Sequence, residues 1–101
     1  MGTRIELQSL LEKMLGSRNV YYQPPATVRM KYPAIVYFRK RIENSHANDG
    51  VYRQDHSYEL TVISQDPEES VVEDISKLPL CSYDRRYVAD NLNHDVFTLY
   101  Y

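Results

Sequence analysis

Apolar positions at the start of the chain recur at helical spacing. Leu7, Leu10, Leu11, Met14 and Leu15 form one stripe, which predicts a helix over residues 4–15 lying on a core. Thr3 is placed to cap its start, with Glu6 three positions on completing a capping box. Gly16 is placed for a left-handed cap at its end. Asn19 to Gln23 then predicts a short strand, closed by Pro24-Pro25, which removes two backbone donors and forces an extended or turning path. Residues 26–31 read as a loop anchored by Val28 and Met30.

The next stretch changes period. Tyr32-Pro33-Ala34-Ile35-Val36-Tyr37-Phe38 and Tyr58-Glu59-Leu60-Thr61-Val62-Ile63-Ser64 are the two base segments of a long ribbon that turns near Asn48-Asp49-Gly50. With Asp49-Gly50 as the turn, Glu43 faces His56, Arg41 faces Tyr58 and Tyr37 faces Val62. Ile35, Tyr37, Leu60 and Val62 then share one face, and Val36, Phe38, Thr61 and Ile63 the other. Both faces are apolar at the base, so each needs a cover. The outer half is almost wholly charged or polar and has no use in a core of its own.

Asp66-Pro67-Glu68-Glu69 predicts the start of a second helix, with Asp66 as cap and Pro67 at the first helical position. Val71, Val72, Ile75 and Leu78 supply its buried face, and Pro79 ends it. Residues 81–88 predict a strand with Tyr83, Arg85 and Tyr87 on one side and Ser82, Asp84, Arg86 and Val88 on the other. Asp90-Asn91-Leu92-Asn93 reads as a turn before a last strand over residues 95–101. The order α-β-β-β-α-β-β gives an α+β fold: a mostly antiparallel sheet of four to five strands, two helices packed on it, and a long protruding β-hairpin. At 101 residues it is a single domain, residues 1–101.

Composition sharpens this picture in one respect. Ten Tyr stand beside two Phe and no Trp. Tyr is a favoured strand residue, and its large ring with a polar tip also suits interfaces. Twelve basic against fourteen acidic residues give a net charge of −2, which argues against a protein that grips duplex DNA by phosphate neutralisation. The first helix is amphipathic rather than a signal peptide. No apolar run approaches the roughly 20 residues that span a bilayer, so a soluble protein of intracellular origin is expected.

Catalytic chemistry finds little to use. The three glycines, Gly2, Gly16 and Gly50, are too far apart for a phosphate loop. His46, His56 and His94 are scattered; a metal held by His46 and His56 with Asp49 or Asp55 would rest on a hairpin tip, a poor scaffold. Cys81, the one cysteine, has nothing nearby in sequence to lower its pKa and reads as structural. His94 reads as a turn residue bonding its own backbone. The basic-aromatic run Tyr83-Asp84-Arg85-Arg86-Tyr87 could stack on single-stranded nucleic acid, but its acids favour ion pairing across a subunit boundary. No enzyme, cofactor or metal is expected.

Two longer phrases carry a resemblance. Residues 22–37, ending Lys31-Tyr32-Pro33-Ala34-Ile35-Val36-Tyr37, form the first. The second comprises Tyr58-Glu59-Leu60-Thr61-Val62-Ile63, Lys77-Leu78-Pro79-Leu80-Cys81 and Tyr87-Val88-Ala89-Asp90-Asn91-Leu92-Asn93-His94. They resemble tail terminator (tail completion) proteins, among the head–tail connector proteins of long-tailed bacteriophages. The resemblance covers the chain from about Tyr21 onward.

It implies a subunit made in the bacterial host cytoplasm and built into the virion at the tail–neck junction. There it would form a homo-oligomeric ring, commonly a hexamer, that caps the tail tube protein and docks a neck or head-completion protein. DNA would pass through the lumen without specific binding; no cofactor, catalysis or membrane is implied. Within that role, Arg39, Arg41, Glu43, Arg53 and Asp55 on the ribbon, with Tyr83, Arg85 and Arg86, are the expected subunit or partner contacts. A head-side connector and a small nucleic-acid-binding module are the alternative readings.

Overall fold

The structure, a computed structural model, describes residues 3–25, 27–46 and 52–101, with side chains described at 3–25, 27–40 and 57–101. Helix α1 spans Arg4–Leu15. The Thr3 hydroxyl accepts the Glu6 N–H at 3.2 Å and donates to the Glu6 carboxylate. Gly16 closes the helix at φ 78°, its N–H bonding Glu12 O at 2.9 Å. Only Leu7 and Leu11 of the predicted stripe are fully buried; Met14 and Leu15 pack at the margin.

Among the described residues, five strands follow the predicted order around a second helix. They are β1 (Val20–Tyr22), β2 (Ala34–His46), β3 (Tyr52–Ser64), then α2 (Ser70–Ser76), β4 (Cys81–Ala89) and β5 (Leu92–Tyr100). They form one sheet in the order β1-β2-β3-β5-β4. All neighbours are antiparallel except β1 and β2, which run parallel through Val20↔Ile35 and Tyr22↔Tyr37. The fold is α+β with a mostly antiparallel sheet.

The core lies on one face. Leu7, Leu11, Val71 and Ile75 from the helices meet Ile35, Tyr37, Tyr58, Leu60, Val62, Phe97 and Leu99 from the sheet. A polar bridge fixes α1 to the β1–β2 edge. Tyr37 Oη donates to Gln8 Oε1 at 2.5 Å, and Gln8 Nε2 donates to Val20 O at 3.0 Å and Glu12 Oε2 at 2.9 Å. The Arg4 guanidinium lies 4.5 Å from the centre of the Tyr22 ring. Burial raises the Tyr37 phenol pKa, with Arg4 opposing it.

Four sequence expectations need correction. The β2–β3 register is Tyr37↔Leu60 and Arg39↔Tyr58 at the base, then Arg41↔Ser57 and Glu43↔Asp55 beyond an irregularity at Lys40. The face-sharing of Ile35, Tyr37, Leu60 and Val62 survives because the base register differs from the expected one by two residues, an even slip. The turn at 48–50 lies outside the described residues. Second, both helices cover the same face. On the other, Ile63 and Val96 are buried with no helix of the described residues over them, while Phe38 is 37% exposed.

Third, α2 begins at Ser70 rather than at Pro67. The Asp66 carboxylate accepts the Glu68 N–H at 2.9 Å, closing a separate turn one step earlier. Fourth, β5 begins at Leu92. Asp90 and Asn91, at φ 52° and 62°, make a two-residue hairpin turn by themselves, so His94 is a strand residue.

Candidate interaction surface

Strand β4 forms one margin of the sheet, and Ser82 through Val88 are exposed. Its alternation is broken at Asp84. Tyr83 pairs with Phe97 but Arg85 pairs with Val96, so one residue bulges. The bulge returns Arg86 to the helix-covered face beside Tyr83 and leaves Arg85 and Tyr87 on the open face. The expected grouping of Tyr83 with Arg85 and Tyr87 is thereby corrected.

On the covered face, Asp95 is 2% exposed and holds the cluster together. Arg86 meets it in a fork, Nε at 2.8 Å and Nη2 at 3.1 Å, and Tyr83 Oη donates to the same carboxylate at 2.7 Å. Arg86 Nη2 also donates to Pro67 O at 2.7 Å, tying the turn before α2 to β4. Burial alone would raise the Asp95 pKa, but the Arg86 and Tyr83 hydrogen bonds hold it below the ordinary carboxylate range. Accepting that bond as a carboxylate, Asp95 in turn pushes the Tyr83 phenol up. Two of the expected contact residues, Tyr83 and Arg86, thus find polar partners within the chain.

On the open face the Tyr87 ring stacks on His94 at 4.7 Å between centres and 13° between planes, with the Arg85 guanidinium 5.8 Å from Tyr87. His94 Nδ1 lies 3.1 Å from Leu92 O, so Nδ1 carries the proton. Asp95 points to the opposite face and does not orient this ring. Arg39 and Lys40 are exposed at the base of the ribbon. Arg41, Glu43, Arg53 and Asp55 lie at paired positions of β2 and β3, with Glu43 opposite Asp55 and Arg53 opposite Ser45; their side chains fall outside the described residues.

Cys81 is half-buried, and burial followed by Asp84 raises its thiol pKa, the reverse of what a nucleophile needs. Among the described residues, no group of three His, Cys, Asp or Glu side chains is arranged to hold a metal. None of their helices is long and apolar enough to cross a membrane. A groove of about 470 Å³ runs between Glu6 and Leu10 of α1, the Leu78–Leu80 turn and Tyr100-Tyr101. Leu80 borders it with φ 58° and 74% of its surface exposed.

Sequence reasoning missed Asp95 as the anchor of this margin. The available signal was a carboxylate leading directly into the apolar Val96-Phe97, a place where a charge needs a partner. No protein-family model, curated protein or solved structure matches this chain.

Proposed function

We propose that this chain is a non-catalytic structural subunit of a long-tailed bacteriophage virion. In this reading it is a tail terminator whose ring, a hexamer, closes the tail tube and joins it to the neck. The observation that carries the reading is the length of the β2–β3 pairing. It runs to His46↔Tyr52, whereas β5 accompanies β3 only as far as Ser57 and β1 accompanies β2 only at Ile35–Tyr37. A two-stranded ribbon that outruns its sheet is marginal alone and gains stability from a neighbour. A heterologous contact, one patch meeting a different patch, is what closes a ring.

The resemblance carried by residues 22–37, 58–63, 77–81 and 87–94 supplies the tail–neck assignment and the partners: tail tube protein on one side, a neck protein on the other. The net charge of −2 suits a lumen that lets DNA slide without trapping its phosphates. The deciding experiment mixes the purified protein with tail tubes and, separately, with portal-bearing capsids, followed by mass determination and electron microscopy. A terminator gives a ring on the tube end and none on the portal. Rings on the portal alone would move the assignment to a head-side connector. A monomer in both mixtures would refute the reading.

A further inference from the structure

We propose that neighbouring copies join edge to edge: the outer edge of β2 in one subunit adds to β4 of the next, antiparallel, so that one sheet continues from subunit to subunit. The proposal rests on the assembly reading above and names the surfaces that would meet.

Backbone hydrogen bonding carries it. Strand β4 has nine residues and a single neighbour, β5, so the groups along its other side have no strand partner among the described residues. At the far side of the sheet, β1 covers β2 only at Ile35–Tyr37. Gln23, at φ 43°, and Pro24-Pro25 then turn the chain away just after Gln23 N bonds Tyr37 O at 2.9 Å. From Phe38 to His46, β2 is therefore paired with β3 alone among the described residues. Two free edges of comparable length lie on opposite sides of one sheet.

Strand direction makes them compatible. β2 opposes β3, β3 opposes β5 and β5 opposes β4, so β4 runs opposite to β2. Placing a second sheet beside the first, in the same orientation, gives an antiparallel junction of the kind found within the subunit. Because the two edges differ, the contact is heterologous and propagates from copy to copy. Strand addition of this type draws affinity from main-chain bonds and selectivity from the side chains that alternate along the edge.

Those side chains are suited to each other. Arg39 and Lys40 bring exposed cations to the β2 edge. The β4 edge offers the Tyr83 and Tyr87 rings, 48% and 43% exposed, and the exposed Asp84 carboxylate, which also accepts from Thr98 Oγ1 at 2.9 Å. Of the β4 cations that would oppose them, Arg86 is neutralised by Asp95, and Arg85 lies toward the Tyr87 ring on the open face. Each edge also carries one irregularity, at Lys40 and at Asp84, together with charge. These are devices that keep a free edge from pairing indiscriminately. They leave it open to a partner of matching shape and charge.

The test is cross-linking in a Cys81→Ser background. Lys40→Cys and Val88→Cys are placed in the same chain, at exposed positions of the two edges, and the protein is bound to tail tubes and treated with a short bis-maleimide. Arg39→Cys with Tyr87→Cys serves as a second pair should the first not fold. The expected result is a ladder of covalent oligomers from the double variant, with monomer only from either single cysteine. Dimers from Val88→Cys alone would show β4 meeting β4 and overturn the proposal. A ring-sized mass without a ladder in both pairs would overturn it and leave the ring standing. A monomeric mass at every concentration would overturn both.

Discussion

Two side chains decide how the interior tolerates polarity. Tyr58 is 1% exposed, and its hydroxyl has no hydrogen-bond partner among the described residues. A buried hydroxyl without a partner loses its water and gains nothing in return. Tyr58→Phe should therefore raise stability by about 1 kcal/mol, read as a shift in the urea midpoint with unchanged slope. Asp95 is the opposite case, a buried carboxylate with its partners in place. Its folded-state pKa is depressed, so its contribution is present above the unfolded value of about 3.9 and is lost as pH falls through the lower folded value. Denaturant titrations from pH 7 down to pH 3 should show that acid-side loss in the wild type and a shallower loss in Asp95→Asn. Equal slopes would remove Asp95 from the list of groups that titrate with folding.

At the scale of elements, two residues share a left-handed backbone and predict opposite outcomes. Gly16 at φ 78° closes α1, and an added Cβ would meet nothing within 4 Å. Gly16→Ala should thus cost only the conformational term, about 1 kcal/mol. Leu80 at φ 58° carries an exposed, branched side chain in the same region, and its carbonyl accepts the Tyr100 N–H at 3.1 Å. Leu80→Gly should raise stability by about 0.5 kcal/mol, because the relieved strain exceeds the added freedom of the unfolded chain. Differential scanning calorimetry of the two variants checks both signs. The caps of α1 were legible in sequence because Thr3, Glu6 and Gly16 each act within four residues. The start of α2 was not, since Asp66 can cap a turn as well as a helix. The bulges at Lys40 and Asp84 left no local signal: each is visible only once the partner strand's count is known. The simple alternation therefore separates Arg86 from Tyr83, whereas both meet Asp95.

Across the whole molecule, the buried core among the described residues draws on Leu7 to Tyr37 and on Tyr58 to Leu99. If the outer ribbon serves assembly, as proposed, changes there should separate folding from association. Arg41→Glu with Arg53→Glu should leave the thermal transition of the isolated subunit within a few degrees of wild type while abolishing ring formation on tail tubes. Single surface ion pairs are worth about 0–1 kcal/mol, but repetition around a ring multiplies their effect. Loss of the fold in that double variant would show that the ribbon is interior. The one cysteine of the chain, at the head of the edge strand β4, also makes each copy countable. Burial holds the Cys81 thiol in its protonated form, so alkylation of the free subunit should be slow. If that margin closes against a neighbour, the reaction should all but stop. The fraction of molecules alkylated in a quenched sample would then report how many subunits remain outside the particle, with no engineered residue needed.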